Sequence, residues 1–198
     1  VIEFGKSTDT LDPEGAVIET GSVPDLATVQ TAVARLVGYV AQVPPAYSAI
    51  HVNGKRSYQL ARANEDGPQL EPRHVVIHEA SIISYEAPFL KVRLHVSKGT
   101  YVRSYARDLG HLCGSCAYVK ELYRTAIGPF RIGEAVRYDD AEALKAIADS
   151  SDDGLSLIGR IPYTSFVQVD ETEAFKLSNG TVPYSVKSRL QNDRVGFV

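Results

Sequence analysis

Ser97-Lys98-Gly99-Thr100-Tyr101-Val102-Arg103-Ser104-Tyr105-Ala106-Arg107-Asp108-Leu109-Gly110 is the stretch from which the rest of this chain is read. Just before it, Leu90, Val92, Leu94 and Val96 alternate with Lys91, Arg93 and His95, the period of a half-buried strand. Just after its turn, Val102, Tyr105, Ala106 and Leu109 recur at the spacing of one helix face. A Ser-Lys-Gly-Thr turn thus joins a strand end to a helix start and delivers Tyr101 and Arg103 to the first helical turn. Backbone N–H groups lack partners at such a start, and Thr100 or Ser97 is placed to cap them. The position suits an anion or an aromatic ring.

Upstream, His74–Glu86 and Phe89–Val96 read as an antiparallel hairpin. Before that lies Val43-Pro44-Pro45-Ala46-Tyr47, held extended because neither proline donates to a ladder. Ser48–Val52 reads as a strand, Asn53-Gly54 as a hairpin turn and Lys55-Arg56 as its exposed return. A short helix over Ser57–Ala63 and a polar loop over Asn64–Pro72 follow. At the start, Val1–Gly5 reads as a strand and Ala16–Thr20 as its return. Gly5-Lys6-Ser7-Thr8 imitates the end of a phosphate-binding loop, but a turn rather than a helix follows it, so that reading fails. Asp25 caps a helix whose stripe runs through Leu26, Val29, Val33, Leu36, Val37 and Val40.

Downstream, Ala117–Arg124 reads as a short helix carrying Val119 and Leu122, and Gly128–Ile132 opens a strand. Asp139 or Asp140 caps a helix over Ala141–Ala148, and Ser150–Gly154 is a linker by composition. Tyr163–Val169 reads as a strand, Glu171–Ser178 as a helix stopped by Asn179-Gly180, and Thr181–Val198 as strand-like. The fold class is α+β: a mixed, mainly antiparallel sheet with flanking helices over residues 1–158, then the start of a small module over 159–198. A basic insertion spans about 51–73.

The 198 residues are 44% hydrophobic and 23% charged, an ordinary globular composition. No apolar run reaches membrane-spanning length. The net charge of −3 excludes a general polyanion glue but permits local patches. Residues 90–110 form one, with Lys91, Arg93, Lys98, Arg103 and Arg107 against Asp108 alone. Cys113 and Cys116 form a single Cys-x-x-Cys with no second pair, so plain thiols are expected rather than a metal site. The chain holds no Met and opens on Val1 in mid-strand, as a fragment or processed chain would.

Four stretches in order resemble the TruB-type tRNA pseudouridine synthases. They are Thr8-Asp9-Thr10-Leu11-Asp12 before Gly15; Val43–Ile50 with Val52–Arg56; Ser97–Arg103 with Ala106–Gly110; and Leu122–Thr125 with Gly128-Pro129-Phe130. The resemblance implies isomerisation of uridine to pseudouridine at position 55 in the T-loop of tRNA, without cofactor or metal, in the cytoplasm, by a monomer. The base is flipped into a closed pocket and a carboxylate attacks. By the same resemblance Tyr101 packs on the base, Arg103 pairs with the catalytic carboxylate, and Leu122 lines the pocket. Tyr47 belongs to the substrate-binding set, and Lys98, Lys55 and Arg56 are phosphate contacts. The final residues match a PUA-like RNA-binding module.

The family's nucleophile lies in a Gly-x-Leu-Asp-x-x-Ala-x-Gly stretch that these 198 residues do not contain. Thr10-Leu11-Asp12-Pro13 resembles only its centre. Two expectations follow: the chain alone is inactive, and Arg103 lacks a carboxylate partner. An ion pair between Arg103 and Asp9 or Asp12 would count against that assignment. The alternative is a non-catalytic tRNA-binding or tRNA-folding protein on the same fold.

Overall fold

The computed structural model describes residues 1–52, 55–57, 70–149 and 167–189. The chain forms two compact units, Val1–Leu122 and Tyr123–Val198. The boundary expected at residue 158 falls outside the described residues.

The first unit is built on one sheet. β4 (Gly38–Gln42), β7 (Arg73–Glu86), β8 (Phe89–Val96), β1 (Ile2–Phe4) and β9 (Ala117–Val119) lie in that order. Every neighbouring pair is antiparallel. Two small hairpins stand apart from it: β2 (Lys6–Thr8) with β3 (Val17–Thr20), and β5 (His51–Val52) with β6 (Lys55–Arg56). The alternation in β8 survives folding: Leu90 is buried, Val92, Leu94 and Val96 are half-buried, and Lys91, Arg93 and His95 face water. Helices α1 (Leu26–Arg35) and α2 (Val102–Leu112) bury Val29, Val33, Tyr105 and Leu109 in one core with Ile2, Phe4, Ile77 and Leu90. Asp25 caps α1 through a 2.7 Å bond from Thr28 N.

Two elements differ from the sequence reading. The first helix stops at Arg35, because Gly38 sits at φ +106°, where L side chains are strained. The chain then joins β7 as β4, with Val40 opposite Val75. Val37 is therefore left exposed instead of completing the helical stripe. Residues 117–119 form a strand, not a helix. An apolar run of that length satisfies either period, and pairing with β1 decides it. Gly110 makes the approach possible, since a Cβ there would lie 2.6 Å from Ala117 N. After β9 the chain has no regular structure until Ala126. The strand expected over Ser48–Val52 shrinks to His51–Val52. The Asn53-Gly54 turn, most of the Ser57–Ala63 helix and most of the 64–72 loop lie outside the described residues.

In the second unit, β10 (Ala126–Ile127) and β11 (Phe130–Arg131) make a hairpin, followed by a 3₁₀ turn at Ile132–Glu134. Asp140, not Asp139, caps α3 (Ala141–Asp149), accepting from Ala143 N at 3.0 Å. Asp139 instead pairs with Arg137. Helix α4 (Glu171–Ser178) opens on a capping box between Asp170 and Glu173. It ends at Asn179, before Gly180 at φ +75°. Glu173 also accepts from Ser185 and pairs with Arg189, tying α4 to α5 (Tyr184–Lys187). The strand-like reading of Thr181–Val198 is thus corrected, because Pro183 opens a helical turn. Residues 190–198, the linker at 150–154 and residues 163–166 lie outside the described residues, and Val167–Val169 are not strand.

One carboxylate is buried in the sheet of the first unit. Glu3 is 5% exposed and its Oε2 accepts from the Tyr118 hydroxyl at 2.6 Å. Lys6 and Lys120 each approach it to 3.4 Å. Burial pushes the Glu3 carboxyl up, but the Tyr118 hydroxyl and the two ammonium groups outweigh it and hold it below its ordinary value. A carboxyl with a lowered folded pKa adds stability above its unfolded value and loses it as pH falls through the folded one. Wild-type protein should therefore lose stability as pH drops below about 4.5. Glu3→Gln should be less stable at pH 7 and show a shallower acid limb in urea titrations. Parallel limbs for the two proteins would exclude Glu3 as a contributor.

Candidate active site

The site is assembled at the start of α2. Gly99 at φ +83° lets the chain turn sharply out of β8. Ser97 does not cap the helix: its Oγ accepts from Val76 N at 2.9 Å and lies 3.3 Å from Thr100 Oγ1. Tyr101 occupies the N-cap position in an extended conformation, with no side-chain cap from its own segment. Its N–H donates instead to Gln42 Oε1, at 2.9 Å, from the end of β4. The local cap expected from Thr100 or Ser97 is thus replaced by a remote one.

Arg103, on the next half-turn, binds two loops at once. Nη1 donates to Thr10 O at 2.8 Å and to Asp12 Oδ2 at 3.0 Å, and Nη2 donates to Tyr47 O at 2.7 Å. The expectation that Arg103 has no carboxylate partner is therefore overturned. The pair is half-buried, with side-chain exposures of 25% and 26%. The turn that presents Asp12 explains why. Asp12 Oδ1 accepts from Thr10 Oγ1 at 2.6 Å and from Glu14 N at 3.2 Å, and Asp12 O accepts from Thr8 Oγ1 at 2.7 Å. Leu11 is held at φ +61°, a region costly for a branched apolar residue. Its carbonyl accepts from Val119 N at 3.1 Å, so the sheet enforces the turn. A Cβ on Gly15 would collide with the Asp9 carboxylate and the Thr10 hydroxyl, so only glycine closes this loop.

The Val43–Ser48 strap is fixed to the same helix. Ser104 Oγ and Arg107 Nη2 both donate to Val43 O, at 2.8 and 2.9 Å. Arg107 also holds Asp108 at 2.7 Å, so the carboxylate next to it in sequence is not available to Arg103. Ser57, fully buried, donates to Ala46 O at 2.5 Å from the far side of the strap.

The structure thus brings together Tyr101, Arg103 and the Tyr47 carbonyl, both tyrosines being half-buried. Lys98 stands exposed on the turn, and Arg56 is exposed on β6; Lys55 lies in the same strand. Leu122 is 58% exposed in the irregular segment after β9. Sequence reasoning missed Gln42, Asp12, Ser104 and Arg107 as parts of the site. A polar residue in an otherwise apolar register marks Gln42, but reading Val40 as helical hid that register. Among the described residues no three or more His, Cys, Asp or Glu side chains gather as a metal site, and no helix is long and apolar enough to cross a membrane. Cys113 and Cys116 are free thiols, and burial pushes both up, away from the reactive thiolate.

Known proteins resemble this chain along most of its length. The family model described as TruB family pseudouridylate synthase (N terminal domain) matches residues 1–102. A tRNA pseudouridine synthase B from Rhodospirillum rubrum is 38% identical over 91% of this chain and 59% of its own. One from Aromatoleum aromaticum is 40% identical over 91% of this chain and 58% of its own. The chain therefore spans somewhat under three-fifths of the length of these two relatives. A chain in a solved Cbf5-Nop10-Gar1 complex is also similar, at 24% identity over 66% of this chain and 30% of that one, with a TM-score of 0.43, too loose a likeness to build on. The turn that sets Asp12 against Arg103, and most of the strands that carry it, lie within the matched residues: the chain belongs to the TruB family of pseudouridylate synthases.

Proposed function

We propose that the protein containing this chain isomerises uridine to pseudouridine in the T-loop of tRNA, at the position conventionally numbered 55. The observation that carries this reading is the mounting of Arg103. A guanidinium has five N–H donors. Three bonds, to Thr10, Asp12 and Tyr47, fix its plane, and donor capacity remains to orient a second carboxylate or the substrate. The names of the 38–40% identical relatives support the substrate.

In this reading the uridine is flipped out of its stack and lies against Tyr101. A carboxylate attacks, the bond between uracil N1 and the sugar breaks, and the ring turns. Uracil C5 then bonds to the sugar carbon, C5 gives up its proton, and N1 gains one, so the reaction balances without a cofactor. Leu122 and Tyr47 complete the pocket; Lys98, Lys55 and Arg56 hold phosphates. Residues after 158 belong to a second RNA-contacting module, for which the Glu173 tie between α4 and α5 provides a small ordered centre.

Asp12 is placed as the anchor of Arg103 rather than as the attacking group. Its Oδ1 already accepts two bonds and its Oδ2 takes the guanidinium, which leaves it poorly free to form a bond to carbon. Because these 198 residues hold no Gly-x-Leu-Asp-x-x-Ala-x-Gly stretch, the attacking carboxylate lies outside them. The test is nucleoside chromatography of a T-arm RNA after incubation. The whole protein should yield pseudouridine and the 198-residue chain none. Turnover by the chain alone would place the nucleophile within it. Binding without conversion by the whole protein would favour the RNA-binding alternative.

A further inference from the structure

We infer that Gln42 is a positioning residue for the reaction: it sets where α2 begins and so the angle at which Tyr101 and Arg103 enter the pocket. This rests on the function proposed above. The first four N–H groups of any helix lack an intrahelical partner, and a cap decides which residue comes first. Here the cap comes from across the sheet. Gln42 is 2% exposed and its Oε1 accepts the Tyr101 N–H at 2.9 Å. Tyr101 is thereby held extended, at φ −97° and ψ 112°, while Val102 is already helical.

The mounting of Gln42 is what makes it more than a cap. As the last residue of β4 it sits in register with Arg73 of β7, so its backbone belongs to the rigid sheet. The next residue, Val43, opens the strap. That strap returns to α2 through Ser104 and Arg107 at Val43 O, and through Arg103 at Tyr47 O. Gln42 therefore lies where sheet, strap and helix meet. If its acceptor is removed, the Tyr101 N–H loses its partner in a buried setting. The start of α2 must then fray or rewind, and both changes move the Tyr101 ring and the Arg103 guanidinium together.

Gln42→Leu removes the acceptor at similar volume; Gln42→Glu keeps an acceptor oxygen in place. In the whole protein, amide hydrogen exchange followed by NMR should show Tyr101 exchanging ~10-fold faster in Gln42→Leu, with Tyr105 and Leu109 unchanged, and kcat on T-arm RNA should fall by ~10-fold with KM within twofold. Gln42→Glu should restore both to within a few-fold. Its Tyr101 protection should also track ionisation of the new carboxyl, which tests the bond even if Gln42→Leu does not fold. Unchanged Tyr101 exchange would overturn the cap, and so would a Gln42→Glu protein without Tyr101 protection. Faster exchange with unchanged kcat, or a rise in KM alone, would overturn the positioning role. A wild-type protein that shows the exchange pattern but no turnover would sink the proposed function, and the positioning role with it.

Discussion

Arg103→Met lowers turnover of T-arm RNA by the whole protein by about 10²–10³-fold, the scale of losing one preorganised charged donor from a site. The expectation follows from what Arg103 holds. Its side chain is the common partner of the 8–15 turn, through Thr10 O and Asp12, and of the strap, through Tyr47 O. Methionine fills part of the volume and donates nothing. Thr10 O and Tyr47 O lose their donor, Asp12 loses its counter-ion, and no group is left to orient the attacking carboxylate. Arg103→Lys should recover little, because an ammonium cannot reach three acceptors on two loops with the geometry of a planar fork. RNA affinity should change far less than turnover. Asp12→Asn separates the two roles open to Asp12. As an anchor, it should leave measurable turnover, since Asn keeps an oxygen toward Arg103. Loss as complete as that from deleting the nucleophile would make Asp12 the attacking group. Turnover of Arg103→Met within threefold of wild type would remove Arg103 from the mechanism.

Phe4→Ala should cost about 3–5 kcal/mol of stability, the range for removing a buried aromatic side chain. Phe4 is 1% exposed on a three-residue strand flanked by β8 and β9. Its ring meets Tyr85 edge-on, with centroids 6.2 Å apart and planes at 86°. Tyr85 in turn donates to Pro24 O at 2.5 Å, next to the Asp25 cap of α1. The cavity would therefore undercut both the sheet and the entry to the first helix. Against a net stability of about 5–15 kcal/mol, this is a large fraction. For a chain of this size it corresponds to a fall in Tm of about 6–20 °C. Phe89→Ala, at a residue 41% exposed on the neighbouring strand, is the control and should cost much less. Urea titration of both variants decides it. Equal midpoint shifts would mean that the core is not centred on Phe4.

The elements that read correctly are those whose period is long and unshared. β8 shows four apolar residues at spacing two, and α2 shows Val102, Tyr105, Ala106 and Leu109 at helical spacing, so both were legible. The Asp25 cap and the Asn179-Gly180 stop were legible because a cap is local chemistry. Residues 117–119 were not, since a short apolar run fits helix or strand until a partner strand is known. Val40 was misread for a related reason: one stripe extends smoothly past a break that Gly38 imposes.

The candidate site divides in the same way. The residue types at the turn, Tyr101 and Arg103 above all, are fixed by the sequence, because their place at a helix start follows from spacing alone. The resemblance of the flanking stretches to the TruB family was legible for the same reason. What holds those side chains was decided only by the fold. Gln42, Asp12 and the Tyr47 carbonyl lie 59, 91 and 56 residues from their partners on α2. No local pattern encodes a hydrogen bond across such a separation. It exists because β4, the 8–15 turn and the strap are packed against one helix end, where burial makes each unpaired group costly and so selects the pairing observed.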